Sequence, residues 1–167
     1  LTSRNSFIDA LVYSSIGMPN WNWLSRDGTG RPIFYTFQID PENDVALERG
    51  DADVPHTAFN DDQRGITRDA LSYIDSLTGL MHIEISNPRQ ADLAFAATDF
   101  SKPSTLGVSY AEYSYNLNDD SHAIDQLVLQ QKIFIGNGDD GQPIDLSYGS
   151  SGYETLLHEL GHVLGLS

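Results

Sequence analysis

Apolar side chains recur at helical spacing between Asn60 and Gly79. Asn60 has the chemistry of a helix N-cap, and Gln63 three residues later completes a capping box. Gly79 stands where a glycine commonly ends a helix. The segment therefore predicts a long helix with a buried stripe formed by Ile66, Ala70, Tyr73, Ile74 and Leu77.

A second helical pattern lies near the carboxyl end of the sequence. Ser151 and Glu154 have the spacing of another capping box, so we expect this helix to begin there. Gly165 is its expected end. The predicted buried face of the helix consists of Leu156, Leu157, Leu160, Val163 and Leu164.

Five short segments rich in aromatic and β-branched residues predict β-strands, at 32–39, 81–86, 92–97, 107–115 and 131–135. The segment 107–115 alternates between apolar and polar residues. It therefore predicts a strand with one exposed face, at the edge of a sheet. The order of these elements predicts an α+β domain in which helices pack on a mixed sheet.

The charge of the chain restricts its partners. The 167 residues include 9 basic and 24 acidic side chains, for a net charge of −15, and no cysteine. So acidic a surface argues against binding to nucleic acid or to an anionic membrane. Without cysteine, neither a disulfide framework nor thiolate catalysis is available. The sequence also lacks the run of about 18 apolar residues that a membrane span requires.

The candidate chemistry lies in the last predicted helix, which carries His158, Glu159 and His162. Histidines four residues apart project from nearly the same side of an α-helix, so both imidazoles can bind one metal ion. Together with Glu159 the two histidines form the pattern H-E-x-x-H, which is typical of zinc peptidases. In those enzymes the glutamate acts on a metal-bound water. We predict His158 and His162 as zinc ligands and Glu159 as the catalytic base.

The segment 153–167, YETLLHELGHVLGLS, resembles the active-site helix of the metzincin zinc peptidases, and is most similar to the bacterial secreted serralysin-type and matrixin-like branch. The longer metzincin pattern is H-E-x-x-H-x-x-G-x-x-H, and its first four fixed positions match His158, Glu159, His162 and Gly165. Its third histidine would fall one residue after Ser167. A weaker resemblance covers 60–85, as the family's first long helix and following strand, and 91–97, as its central strand.

The resemblance implies a metzincin-like N-terminal subdomain. This is a twisted, mixed five-stranded sheet with an antiparallel edge strand, packed by two long helices of which the second carries the active site. The implied protein is a secreted bacterial zinc endopeptidase that hydrolyses internal peptide bonds. Its edge strand would bind a protein or peptide substrate as an added strand, through Val108, Ser109, Tyr110 and Ala111. Because the third histidine, the Met-turn and the C-terminal subdomain of that family are not among these residues, we expect 1–167 to be the N-terminal portion of a catalytic domain.

Several alternatives remain open at this point. Three other histidines could supply a third ligand, although each is more typical of a surface or strand histidine: His56, His82 and His122. Two pairs of aspartates are candidates for Ca²⁺, although no EF-hand pattern is present and solvated turns are favoured: Asp51 with Asp53, and Asp139 with Asp140. The alternative function is a catalytically silent domain that binds peptides or protein partners along its edge strand.

Overall fold

The computed structural model describes residues 32–38, 56–100, 104–117, 124–138 and 141–164, with the backbone alone at 111–117 and 124–129. The strands in these ranges are β1 (Ile33–Thr36), β2 (His82–Glu84), β3 (Leu93–Thr98), β4 (Gly107–Leu117) and β5 (Ile124–Gly136). They form one five-stranded sheet in the order β2-β1-β3-β5-β4. Strand β4 is antiparallel to β5, and all the other pairs are parallel.

The predicted α+β class with a mixed sheet is confirmed, and a strand is present at each predicted position. The position of 107–115 at the edge of the sheet is confirmed as well, because β4 pairs only with β5 among the described strands. Strand β5 is much longer than the predicted 131–135. Its first half pairs with β4 as far as Leu117 opposite Ile124, and this long-range pairing extends the strand.

The first helix, α1, spans Asp61–Thr78 and is capped as the sequence predicts. The Gln63 amide donates to Asn60 Oδ1 at 2.8 Å, and the Asn60 amide donates to Gln63 Oε1 at 3.1 Å. Gly79 adopts the left-handed conformation, with φ of 74°, and its amide donates to the carbonyl of Asp75 at the end of the helix. Both ends of α1 are therefore determined by local chemistry.

The predicted buried stripe of α1 is only partly right. Ala70 is buried, and Ile66 and Ile74 are half-buried, whereas Tyr73 and Leu77 are 54% and 66% exposed. The helix is rotated so that its buried face includes polar side chains, namely Gln63 and Thr67. Burial of these groups is tolerated because Thr67 Oγ1 donates to the Gln63 carbonyl and Gln63 Nε2 donates to the Ile144 carbonyl.

The second helix, α2, spans Ser151–Val163, and its N-cap is Ser150. The hydroxyl of Ser150 accepts from the Tyr153 amide at 3.1 Å and donates to the Asp145 carbonyl at 2.8 Å. The predicted capping box at Ser151 and Glu154 is therefore wrong by one residue, because the preceding serine has this additional partner in the loop. The expected helix end at Gly165 lies outside the described residues.

Both helices pack on one face of the sheet. Alternate residues of β3, such as Phe95, join Leu71 of α1 and Leu156 of α2 in one buried cluster. The other face of the sheet carries a smaller cluster around Phe134, with Val108 and Tyr110 of β4 packed against it. Neither described helix is long and apolar enough to cross a membrane.

The predicted buried face of α2 is mostly confirmed. Its buried leucines and valine are Leu156, Leu160 and Val163. Leu157 is 38% exposed, so its predicted burial is wrong, and Leu164 is half-buried. Leu157 lies on the flank of the stripe, where no packed neighbour from the sheet covers it fully. The central stripe, together with Tyr153 at the start of the helix, therefore supplies the apolar contact of α2 with the core.

Candidate metal centre

Helix α2 places His158 and His162 side by side on its exposed face, one turn apart. Their Nε2 atoms lie 3.0 Å apart, and the rings meet edge to face with centroids separated by 4.5 Å. The predicted convergence of the two imidazoles is therefore present in the structure. It follows from helical periodicity, since positions i and i+4 lie above one another on an α-helix.

The two nitrogens fit the ligand geometry of zinc. Zinc binds imidazole nitrogen at about 2.0–2.1 Å, so nitrogens 3.0 Å apart lie within reach of one ion. The same separation also suits a hydrogen bond between two neutral imidazoles, one donating and one accepting. The distance is therefore compatible with a metal site, and the surroundings of the pair must support the assignment.

No group of three or more histidine, cysteine, aspartate or glutamate side chains that could hold a metal occurs within the described ranges. His82 lies in the opposite edge strand, where its Nδ1 pairs with Asp75 Oδ1 at 2.5 Å. His56 packs on the Phe134 ring, which belongs to the cluster on the face of the sheet away from the helices. Neither histidine can therefore join His158 and His162. His122 and the four candidate calcium aspartates lie outside the described residues.

Glu159 is buried, whereas the two histidines on the same helix are exposed. Its side chain is only 6% exposed and is packed beneath the start of β4. A Cβ placed on Gly107 would lie 3.1 Å from Glu159 Cγ and 3.4 Å from Oε1. No described residue forms a hydrogen bond or ion pair with this carboxylate. Neither carboxylate oxygen is among the fully buried polar atoms without a partner in the described residues, so the side chain is largely covered while its oxygens keep some contact with solvent.

The edge strand beside this carboxylate presents backbone groups away from the sheet. The Gly136 amide donates to the Leu106 carbonyl at 2.8 Å, which makes these two residues a hydrogen-bonded antiparallel pair. Because such pairs alternate along a ladder, Val108 and Tyr110 also bond to β5. The backbone groups of Ser109 and Ala111 therefore point outward, where no other described strand pairs with them.

The four predicted substrate-binding residues thus divide into two kinds. Val108 and Tyr110 use their backbone in the sheet and pack their side chains near Phe134. Ser109 and Ala111 keep backbone donors and acceptors available to an additional strand. An extended peptide that joins β4 would therefore hydrogen bond to Ser109 and Ala111.

Two shifted pKa values occur at the start of α2. Hydrogen bonds from the hydroxyl and amide of Ser147 lower the pKa of Asp145. Burial raises the pKa of Tyr153 to about 12, and the neighbouring Tyr148 hydroxyl adds to the shift. Neither group changes charge near neutral pH, so the loop that caps the helix keeps its hydrogen bonds over that range.

Three residues around the centre were not singled out from the sequence: Gly107, Gln131 and Thr155. The Nε2 of Gln131 donates to the Val163 carbonyl at 3.3 Å and so attaches the end of α2 to β5. Thr155 lies one turn before Glu159, against Gly107. A glycine within a strand can indicate close approach of another element, and this was the available signal for Gly107.

Comparisons with known proteins do not assign this chain to a family. No model of a known protein family matches it. No curated protein sequence matches it either. Its function must therefore be argued from its own residues.

Proposed function

We propose that this chain is the N-terminal portion of a zinc-dependent endopeptidase that hydrolyses internal peptide bonds of proteins. In this proposal His158 and His162 bind the metal, and Glu159 is the general base. The main support is the pair of imidazole nitrogens 3.0 Å apart on a helix that also carries Glu159, the residue next to His158, with its side chain largely covered by β4. The sequence resemblance of 153–167 to the active-site helix of metzincins favours the same assignment.

Each residue has a distinct role in the proposed reaction. When bound, zinc polarises the scissile carbonyl and lowers the pKa of a coordinated water toward about 7. Glu159 accepts the proton of the attacking water and then donates it to the leaving amine. Its side chain is largely covered, and the lower local dielectric strengthens the electrostatic effect of its charge. Strand β4 holds the peptide extended beside α2 through Ser109 and Ala111.

A zinc peptidase uses three protein ligands, and we propose as the third the histidine that the metzincin resemblance implies one residue after Ser167. We therefore expect 1–167 to bind zinc less tightly than a form that includes this histidine. Metal affinity and peptidase activity are accordingly separate measurements. The 167-residue chain tests the metal ligands, and the longer form tests catalysis.

Metal binding is tested by titrating the apoprotein with Zn²⁺ in a calorimeter and with Co²⁺ in a visible spectrometer. We expect one site, and a loss of at least about tenfold in affinity when either His158→Gln or His162→Gln removes a ligand. Glu154→Gln is the matched control, since Glu154 is an exposed acid on the same helix. Unchanged affinity in the double histidine variant would refute the metal site.

Catalysis is tested by cleavage of an unstructured protein such as casein by the longer form loaded with zinc. We expect Glu159→Gln to lower kcat by about 10²–10⁴-fold with zinc affinity retained, because only the proton transfer is lost. Glu154→Gln should cleave at the wild-type rate. Proteolysis that survives Glu159→Gln would show that another group is the base.

The second candidate is a catalytically silent domain that binds peptides along β4. The outward backbone groups of Ser109 and Ala111 favour it independently of any metal. It predicts binding of an extended peptide, without cleavage, and equal affinity in wild type and Glu159→Gln. Cleavage that is abolished by chelation and restored by Zn²⁺ would exclude it.

A further inference from the structure

We propose that Gly107 and Thr155 are positioning residues that hold the Glu159 side chain in its reactive place, an inference that rests on the proposed role of Glu159 as general base. Glu159 has no hydrogen-bonding partner among the described residues, so polar contacts do not orient it. Its placement must then come from packing. The residues that supply this packing lie on β4 and on the preceding turn of α2.

Gly107 is the point of closest approach between β4 and α2. A Cβ at this position would lie 2.5 Å from Thr155 Cγ2 and 3.1 Å from Glu159 Cγ. Real side chains do not tolerate the first of these separations, and the second is tighter than almost all Cβ contacts. The backbone of Gly107 therefore covers both side chains, and only glycine permits this contact.

The Thr155 methyl group is itself held in place. Thr155 Oγ1 donates to the Ser151 carbonyl at 2.8 Å, which selects one χ1 rotamer of this β-branched side chain. That rotamer directs Cγ2 towards Gly107. Thr155 and Glu159 are four residues apart on α2, so their side chains are neighbours under the strand.

Neither the strand nor the helix can withdraw from this contact easily. Gly107 lies opposite Ile135, which is fully buried, and the next pair is tied by the hydrogen bond from the Gly136 amide to the Leu106 carbonyl. Helix α2 is fixed to the sheet by Leu156 and Leu160, which are also fully buried. An added methyl group at 107 must therefore displace the side chains between strand and helix, including that of Glu159.

Displacement of a general base lowers the reaction rate even when the fold is retained. A misplacement of about 1 Å can lower the rate by about 10²-fold. Both histidines are exposed, and neither supplies one of the atoms nearest to a Cβ at 107, so we expect metal binding to respond little. Gly107→Ala is thus expected to separate catalysis from metal affinity.

The test is a double-mutant cycle of Gly107→Ala with Thr155→Ser. The serine keeps the hydroxyl that bonds to Ser151 and removes the Cγ2 that an alanine at 107 would strike. Gly65→Ala is the control glycine substitution, because a Cβ there meets nothing within 4 Å. The readouts are zinc affinity, kcat and KM on casein, and the ¹³Cγ chemical shift of Glu159 in the metal-free chain.

We expect Gly107→Ala to lower kcat by about 10–100-fold, with KM and zinc affinity changed less than about threefold. It should also shift the Glu159 ¹³Cγ resonance. Adding Thr155→Ser should recover part of kcat and part of the chemical shift. Gly65→Ala should behave as wild type in all four measurements.

Four results would overturn the inference: unchanged kcat in Gly107→Ala, parallel loss of zinc affinity, no recovery in the double variant, or an unmoved resonance. The chemical shift requires neither metal nor activity, so it tests the packing even if the wild-type chain proves not to be a peptidase. An unmoved Glu159 resonance in Gly107→Ala would refute the positioning role itself. Inactivity of wild type together with a moved resonance would instead refute the proposed function alone.

Discussion

Two glycines in the helices provide a matched test of how closely the loop 145–150 covers the start of α2. A Cβ on Gly152 would overlap the carbonyl oxygen of Asp145 and would lie 3.0 Å from Leu146 Cδ2. A Cβ on Gly65, in α1, meets no atom within 4 Å. The same substitution by alanine should therefore destabilise the protein at one site and stabilise it at the other.

The magnitudes follow from the contacts. Alanine is favoured over glycine in a helix by about 0.8–1.0 kcal/mol, so Gly65→Ala should raise the free energy of unfolding by up to about that amount. At Gly152 this gain is outweighed by overpacking, which costs about 1–3 kcal/mol. The Asp145 carbonyl accepts a hydrogen bond from the hydroxyl of Ser150, the N-cap of α2, so displacing this carbonyl also disturbs the cap. Loss of an N-cap costs about 1 kcal/mol. We expect a net loss of about 2 kcal/mol for Gly152→Ala.

Urea unfolding followed by circular dichroism at 222 nm measures both variants, and thermal unfolding supplies a second estimate. For a chain of this length about 1 kcal/mol corresponds to a shift in Tm of about 2–4 °C. Gly152→Ala should therefore melt roughly 4–8 °C below wild type, and Gly65→Ala slightly above it. Equal, stabilising effects of the two substitutions would show that the loop does not press on α2 as the structure indicates.

Three further substitutions test other contacts. Asn60→Ala removes the capping box with Gln63 and should lower the free energy of unfolding by about 0.5–2 kcal/mol in urea. Leu156→Ala empties a fully buried position of α2 and should cost about 2–5 kcal/mol in the same assay; a cost below about 1 kcal/mol would contradict its central place in the core. Hydrogen bonds from Arg68 lower the pKa of Glu84, so this pair stabilises the fold above the ordinary carboxyl pKa and loses its effect as pH falls through the lowered value. Glu84→Gln should therefore cost less than about 1 kcal/mol at pH 7, and the difference from wild type should shrink as the pH falls below the ordinary carboxyl pKa; a difference that grows in acid would refute this sign.

Local chemistry was sufficient for several features of this protein. The capping box at Asn60 and the left-handed Gly79 define α1 because their hydrogen bonds join residues only a few positions apart. The approach of His158 to His162 follows in the same way from the period of the helix. The edge character of 107–115 was readable from alternation, since the exposed face of a strand tolerates polar residues.

Other features depended on how the helices, the sheet and the loops pack against one another. Periodicity placed Tyr73 in the buried stripe of α1, but the sheet contacts a neighbouring face that contains Gln63 and Thr67. Ser151 has the spacing of an N-cap, yet Ser150 takes that role because the Asp145 carbonyl accepts its hydroxyl. These outcomes require knowledge of partners that are distant along the chain or folded back in a loop.

Glu159 shows most clearly which properties follow from the local sequence and which follow from tertiary packing. The sequence alone determined that it stands beside two histidines one helical turn apart, because neighbouring positions on a helix have a known geometry. Only the tertiary structure decided that its side chain is largely buried and that it lies with Thr155 beneath Gly107. The physical reason is that helical geometry acts over a few bonds, whereas burial is created when Gly107 of β4, 52 residues before Glu159, packs across α2.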